Sequence, residues 1–155
     1  MLNKLIIVFC LMFAAAANGK ANQNIYSVTD APVRPHLAEF MAYCAMTRYA
    51  ATCTMNAKKI IKIKLVNVVD PSDPNVIGLC IVYGNLREIR LQDKMYFPES
   101  IDFKFLVWHE LGHCLMDLPH IDNRPHIMNS VTMPQDKIVQ QWVYLIRDFF
   151  YGPVY

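Results

Sequence analysis

The spacing of apolar positions changes along this chain, and each change marks an element. Residues 22–34 are polar and read as extended, because Pro32 and Pro35 discourage helix in the residues before them. Pro35 can open a helix over His36–Tyr49, where Leu37, Phe40, Met41, Tyr43 and Cys44 form a helical stripe. Ile60–Val69 is rich in β-branched residues that alternate with lysines, the pattern of a strand. Asp70-Pro71-Ser72-Asp73-Pro74-Asn75 is a turn cluster. Ile77–Tyr83 and Leu86–Gln92 then predict two strands joined at Gly84-Asn85, a tight hairpin, with a loop over Asp93–Pro98.

From Glu99 to Met116 the periodicity predicts a helix that is apolar nearly all round. Phe103, Phe105, Leu106, Val107, Trp108, Leu111 and Leu115 leave little polar face, which places it at the centre of the domain. Pro119 ends it. Residues 117–133 read as irregular. Thr132 then caps a final helix over Pro134–Tyr151, with Gln135 completing a capping box. There is no internal repeat and no low-complexity tract.

The chain of 155 residues fits one domain once residues 1–21 are set aside. That stretch has a positive start at Lys4, an apolar run from Leu5 to Ala17 and small residues after it, the layout of a signal peptide. The domain then occupies 22–155 and is expected to be secreted or periplasmic. Lys4 and Lys20 leave with the leader, so thirteen basic residues face thirteen acidic ones. Such a neutral balance gives no footprint for nucleic acid, which needs a clustered basic face. No later segment is apolar enough to cross a membrane, so none is expected after cleavage, and the domain is expected to be a monomer. Cys44, Cys53, Cys80 and Cys114 remain, an even number that favours two disulfides in an exported chain. Of the three pairings, Cys44–Cys53 with Cys80–Cys114 is preferred: the first would clip a helix to its exit loop, the second would tie a strand to the central helix.

The chemistry concentrates at His109-Glu110-Leu111-Gly112-His113. Residues four apart share one face of a helix, so the two imidazoles can hold one metal ion with Glu110 beside them. A catalytic zinc takes three protein ligands and keeps a position for water. No glutamate follows Glu110, so a third ligand from a downstream glutamate is excluded; His120, His126, Asp117 and Asp122 remain. His120 is preferred, because a helix stopped at Asp117 and Pro119 lets the chain turn back to the metal. His126 comes second and otherwise reads as a loop histidine facing solvent, and His36 as a surface or helix-end histidine. Glycine costs roughly 1 kcal/mol inside a helix, so Gly112 suggests that the returning ligand loop packs closely on the backbone there.

The segment from His109 to His120, followed by Ile127-Met128-Asn129, resembles the metzincin clan of zinc peptidases. In that clan three histidines of an extended H-E-x-x-H segment bind zinc, and a tight turn places a methionine beneath the metal. The resemblance implies His109, His113 and His120 as ligands, Glu110 as the catalytic residue and Met128 as the turn methionine. Met116-Asp117 stands where the clan has glycine, and one extra residue precedes His120. A short group of bacterial exported members has this longer spacing, with a cysteine after the second histidine and an Ile-Met-Asn turn, and the chain is most similar to that group. The resemblance spans Ile77–Phe150, with its specific part in 109–129. The fold it implies is a small zincin-like α+β domain, with a mixed twisted sheet packed on a central active-site helix and a C-terminal helix.

The expected function is therefore zinc-dependent endopeptidase, with Glu110 as general base toward a water activated by one zinc ion. The substrate is a peptide or protein. Leu86–Gln92 is expected to be an edge strand on which an extended peptide could add; Arg87, Glu88 and Arg90 otherwise read as charges blunting a solvated edge. Ser130 occupies the position where some metzincins carry an oxyanion-stabilising tyrosine, leaving Tyr144 or Tyr151 for that aid. The alternative functions are a non-catalytic secreted module that binds zinc or a protein partner, and a purely structural helix with incidental histidines.

Overall fold

A computed structural model describes residues 23–97 and 99–152; the expected signal peptide, 1–21, lies outside the described residues. Five helices and three strands build a small α+β domain: α1 (Gln23–Ser27), α2 (Arg34–Ala45), α3 (Ala50–Ala57), β1 (Ile60–Val66), β2 (Gly78–Tyr83), β3 (Leu86–Gln92), α4 (Ile101–Met116) and α5 (Gln135–Tyr151). The sheet is mixed, in the order β1-β3-β2. β3 runs parallel to β1 and antiparallel to β2, and Gly84 at the hairpin tip takes φ +59°, where glycine carries no Cβ penalty.

The expectation that β3 is an edge strand is wrong. It is the central strand, hydrogen-bonded on both sides, and its charged residues are bound inward. Glu88 meets Lys64 of β1 at 3.0 Å and Arg90 at 2.7 Å, while the Arg87 guanidinium reaches the end of α4. The outer side of β1 is covered by residues 28–30. There Ile63 donates to the Val28 carbonyl, Asp30 donates to that of Ile63, and Leu65 donates to the Asp30 carboxylate. Among the described residues the uncovered edge is β2.

α4 is the buried axis. Trp108 is fully buried among Phe40 and Tyr43 of α2 and Trp142 and Phe150 of α5, with ring centroids 5.3–5.8 Å apart. The predicted stripe of α2 is buried at Leu37, Phe40, Met41 and Cys44. Four local readings are corrected. Residues 22–34 are not simply extended, since they hold α1 and a 3-10 turn at Ala31–Val33. α2 ends at Ala45, where the Thr47 hydroxyl takes the Cys44 carbonyl, and a separate helix, α3, follows. Cys53 therefore lies on α3, and Cys44–Cys53 joins two helices, not a helix and a loop; the other disulfide is Cys80–Cys114. Thr132 does not cap α5, whose N-cap is Pro134, extended at ψ 140° and offering its carbonyl to Lys137 and Ile138. Proline has no side-chain oxygen to accept an N–H of the first turn, so the last helix starts without a side-chain cap.

Candidate metal centre

Local structure explains why α4 stops where the site needs it to. Ser100 accepts from the Phe103 N–H at the start. At the end Asp117 enters the left-handed region (φ 57°) and its N–H bonds the Gly112 carbonyl. An aspartate tolerates this region better than most side chains. It is also held there: Arg87 donates to the Cys114 carbonyl at 2.5 Å and to the Asp117 carboxylate at 2.6 Å, and Asn56 donates to the Leu115 carbonyl and the other Asp117 oxygen. These two side chains take carbonyls that a helix end leaves unpaired. The chain then turns back, and His120 returns to the face that carries His109 and His113.

The three histidines converge. His113 Nε2 lies 3.1 Å from His109 Nε2 and 3.2 Å from His120 Nε2. The far side of two of the rings is fixed by the backbone, since His109 Nδ1 donates to the Ile127 carbonyl at 2.7 Å and His113 Nδ1 to the Leu118 carbonyl at 2.6 Å. A neutral imidazole with its proton on Nδ1 presents a bare lone pair at Nε2. Burial holds both rings in that form; it lowers the His113 pKa and takes that of His109 down to about 4, against the pull of the Ile127 carbonyl. Lone pairs facing one another at these distances repel unless a cation sits between them. Metal–nitrogen bonds of about 2.0–2.1 Å put tetrahedral ligand nitrogens about 3.3–3.4 Å apart, close to the distances seen. The group can hold a metal ion.

Glu110 lies beside this cluster, 4% exposed, with its carboxyl against β2. A Cβ on Gly78 would stand 2.5 Å from Glu110 Oε1, so the carboxyl sits where any side chain at 78 would be. Burial pushes the Glu110 pKa up to about 8, with a bond from the Cys80 backbone working against that rise. The cluster and Glu110 open on a cleft of about 770 Å³, walled on one side by the free edge of β2 and on the other by residues 129–132.

The turn carrying Met128 lies directly under α4. A Cβ on Gly112 would be 2.5 Å from Met128 Sδ and 3.0 Å from the Phe149 ring, so the bare backbone at Gly112 accommodates the turn. Asn129 ties the turn together, accepting from the His126 N–H and donating to the Ile121 and Arg124 carbonyls. His126 neither joins the three-histidine group nor faces solvent as a loop residue. It is 2% exposed, its Nδ1 accepts the Met128 N–H at 2.9 Å, and burial lowers its pKa. Asp122 accepts from Ser130, and Asp117 is bound to Arg87, so neither joins the cluster. Tyr144 and Tyr151 lie exposed on α5 and do not line the cleft. His36 is half-buried at the start of α2, edge-on to Phe103.

Sequence reasoning missed Gly78 and Asn56, and misread Arg87. Glycine in a strand is a visible signal of close approach by another group; the other two act through contacts between elements distant in the chain. No known family model, curated protein or solved structure matches the chain.

Proposed function

We propose that the protein is an exported zinc endopeptidase. The observation that carries the reading is the convergence of three imidazole Nε2 atoms, two of them locked as lone-pair donors, beside a buried carboxyl in an open cleft. Three nitrogen ligands with a fourth position left to the cleft suit zinc in a hydrolytic role. Zinc held there would polarise a scissile carbonyl and acidify a water. The residues of the chain do the rest. Glu110 takes the water's proton on a carboxylate oxygen and returns it to the leaving amine. Its place against Gly78 fixes that oxygen beside the cleft. The free edge of β2, and not β3, is where an extended peptide would add as a further strand and lie across the histidines.

Two disulfides in the chain support an oxidising compartment, either secreted or periplasmic, and no helix among the described residues is long and apolar enough to cross a membrane. Zinc content tests the ligand set. The purified full chain, saturated with zinc, is expected to carry one ion; His120→Ala loses it, whereas His126→Ala still fills at a higher zinc concentration. Loss of metal in the His126 variant alone, or a wild-type chain that takes up no zinc, would overturn the assignment.

A further inference from the structure

Behind the metal-binding face lies a second buried polar group that the proposed chemistry does not use. Asp148 of α5 is 2% exposed and accepts two bonds from Arg124, at 2.8 and 3.3 Å. It also faces His126 Nε2 at 3.7 Å. Because His126 Nδ1 accepts the Met128 N–H, the neutral ring carries its proton on Nε2, the nitrogen that points at Asp148. The next residue along the turn, Ile127, gives its carbonyl to His109 Nδ1. Phe149, beside Asp148, packs against both the His126 ring and Gly112. A carboxylate on the last helix thus stands 3.7 Å from a ring whose other nitrogen holds the peptide group that bonds His109 on α4.

We propose that Asp148 and His126 are positioning residues for the metal centre: Asp148 orients the His126 ring, His126 pins the turn through the Met128 N–H, and the pinned Ile127 carbonyl sets the tautomer and tilt of His109. A group that bonds a ligand directly, as the Ile127 carbonyl bonds His109, fixes the direction of its lone pair, and losing that hold weakens metal binding by about 10–100-fold. The inference rests on the proposed function only in taking His109 as a ligand. A merely structural role for the pair would lower stability and leave the affinity of the folded protein for metal unchanged.

The experiment is zinc affinity, measured by competition with a chromophoric chelator on the folded full chain. Asp148→Asn keeps the shape of the side chain and removes its charge. His126→Asn keeps an acceptor for the Met128 N–H and removes the nitrogen that faces Asp148. Each is expected to weaken zinc binding at least tenfold, and the double variant to lose no more than the worse single one, since both break the same chain of contacts. Ile138→Val, a buried change at the other end of α5, is the control for lost stability and is expected to bind zinc as the wild type does. Should one single variant fail to fold, the other decides alone. Unchanged affinity in a folded single variant, losses that add in the double variant, or an equal loss in Ile138→Val would each overturn the proposal. A wild-type chain that binds no zinc would overturn the functional reading instead.

Discussion

Two glycines set how closely other groups approach α4 and the side chains it carries. At Gly78 the neighbour is the Glu110 carboxyl, 2.5 Å from where a Cβ would stand. Gly78→Ala is expected to displace that carboxyl, leave zinc bound and slow peptide hydrolysis about 10–100-fold, the scale on which small misplacements of a reacting group act; steady-state kinetics alongside zinc content checks this. At Gly112 the neighbours are Met128 and Phe149, both buried. Alanine there gains about 1 kcal/mol of helix propensity, but overpacking a filled core costs about 1–3 kcal/mol. Gly112→Ala is therefore expected to lose up to about 2 kcal/mol in urea unfolding. Equal or greater stability would show that the turn does not press on the helix. The histidines and Glu110 could be read from spacing alone, because residues four apart on a helix must share a face. Gly78 could not be tied to Glu110, since the pairing that brings β2 to α4 is not local.

Helix ends and strand order decide the rest of the site. α4 closes on Asp117, whose carboxylate receives Arg87 from β3 and Asn56 from α3. Burial raises its pKa, but those two bonds outweigh burial and hold it below the ordinary value; Glu88 is treated the same way by Arg90 and Lys64. A carboxyl with a depressed folded pKa contributes stability above its unfolded value, about 3.9–4.3 for these side chains, and that contribution is lost as pH falls through the folded value. The melting temperature is expected to fall as pH drops below about 4. Asp117→Asn, which tolerates the left-handed backbone, is expected to flatten part of that fall; an unaltered pH profile would contradict it. The long periodic elements, α4, α5 and the hairpin, were legible from apolar spacing. α3 was not, because the residues it buries, Cys53, Asn56 and Ala57, are small or polar, while its large apolar side chain, Met55, is exposed. Arg87 and Glu88 were misread because charge on a strand marks an edge only when nothing on neighbouring elements answers it.

Across the whole molecule, the two disulfides act on different parts. Cys44–Cys53 spans 9 residues between adjacent helices, whereas Cys80–Cys114 spans 34 and ties the free edge strand to the metal helix beside His113. Chain-entropy arguments give about 3 kcal/mol for the short loop and about 4 kcal/mol for the long one. Replacing Cys80 and Cys114 by serine is expected to destabilise the protein more than replacing Cys44 and Cys53, as chemical unfolding of the two variants would show. Loosening β2 from α4 should also impair the cleft, because one wall of it is that strand. The central claim concerns what the cleft does. Its most direct test is digestion of an unbiased peptide library by the zinc-loaded wild type and by Glu110→Ala, with metal content measured on both. The expected result is cleavage by the wild type alone with zinc retained in both proteins; cleavage that survives in Glu110→Ala, or a zinc-loaded wild type that cuts nothing, would contradict the account.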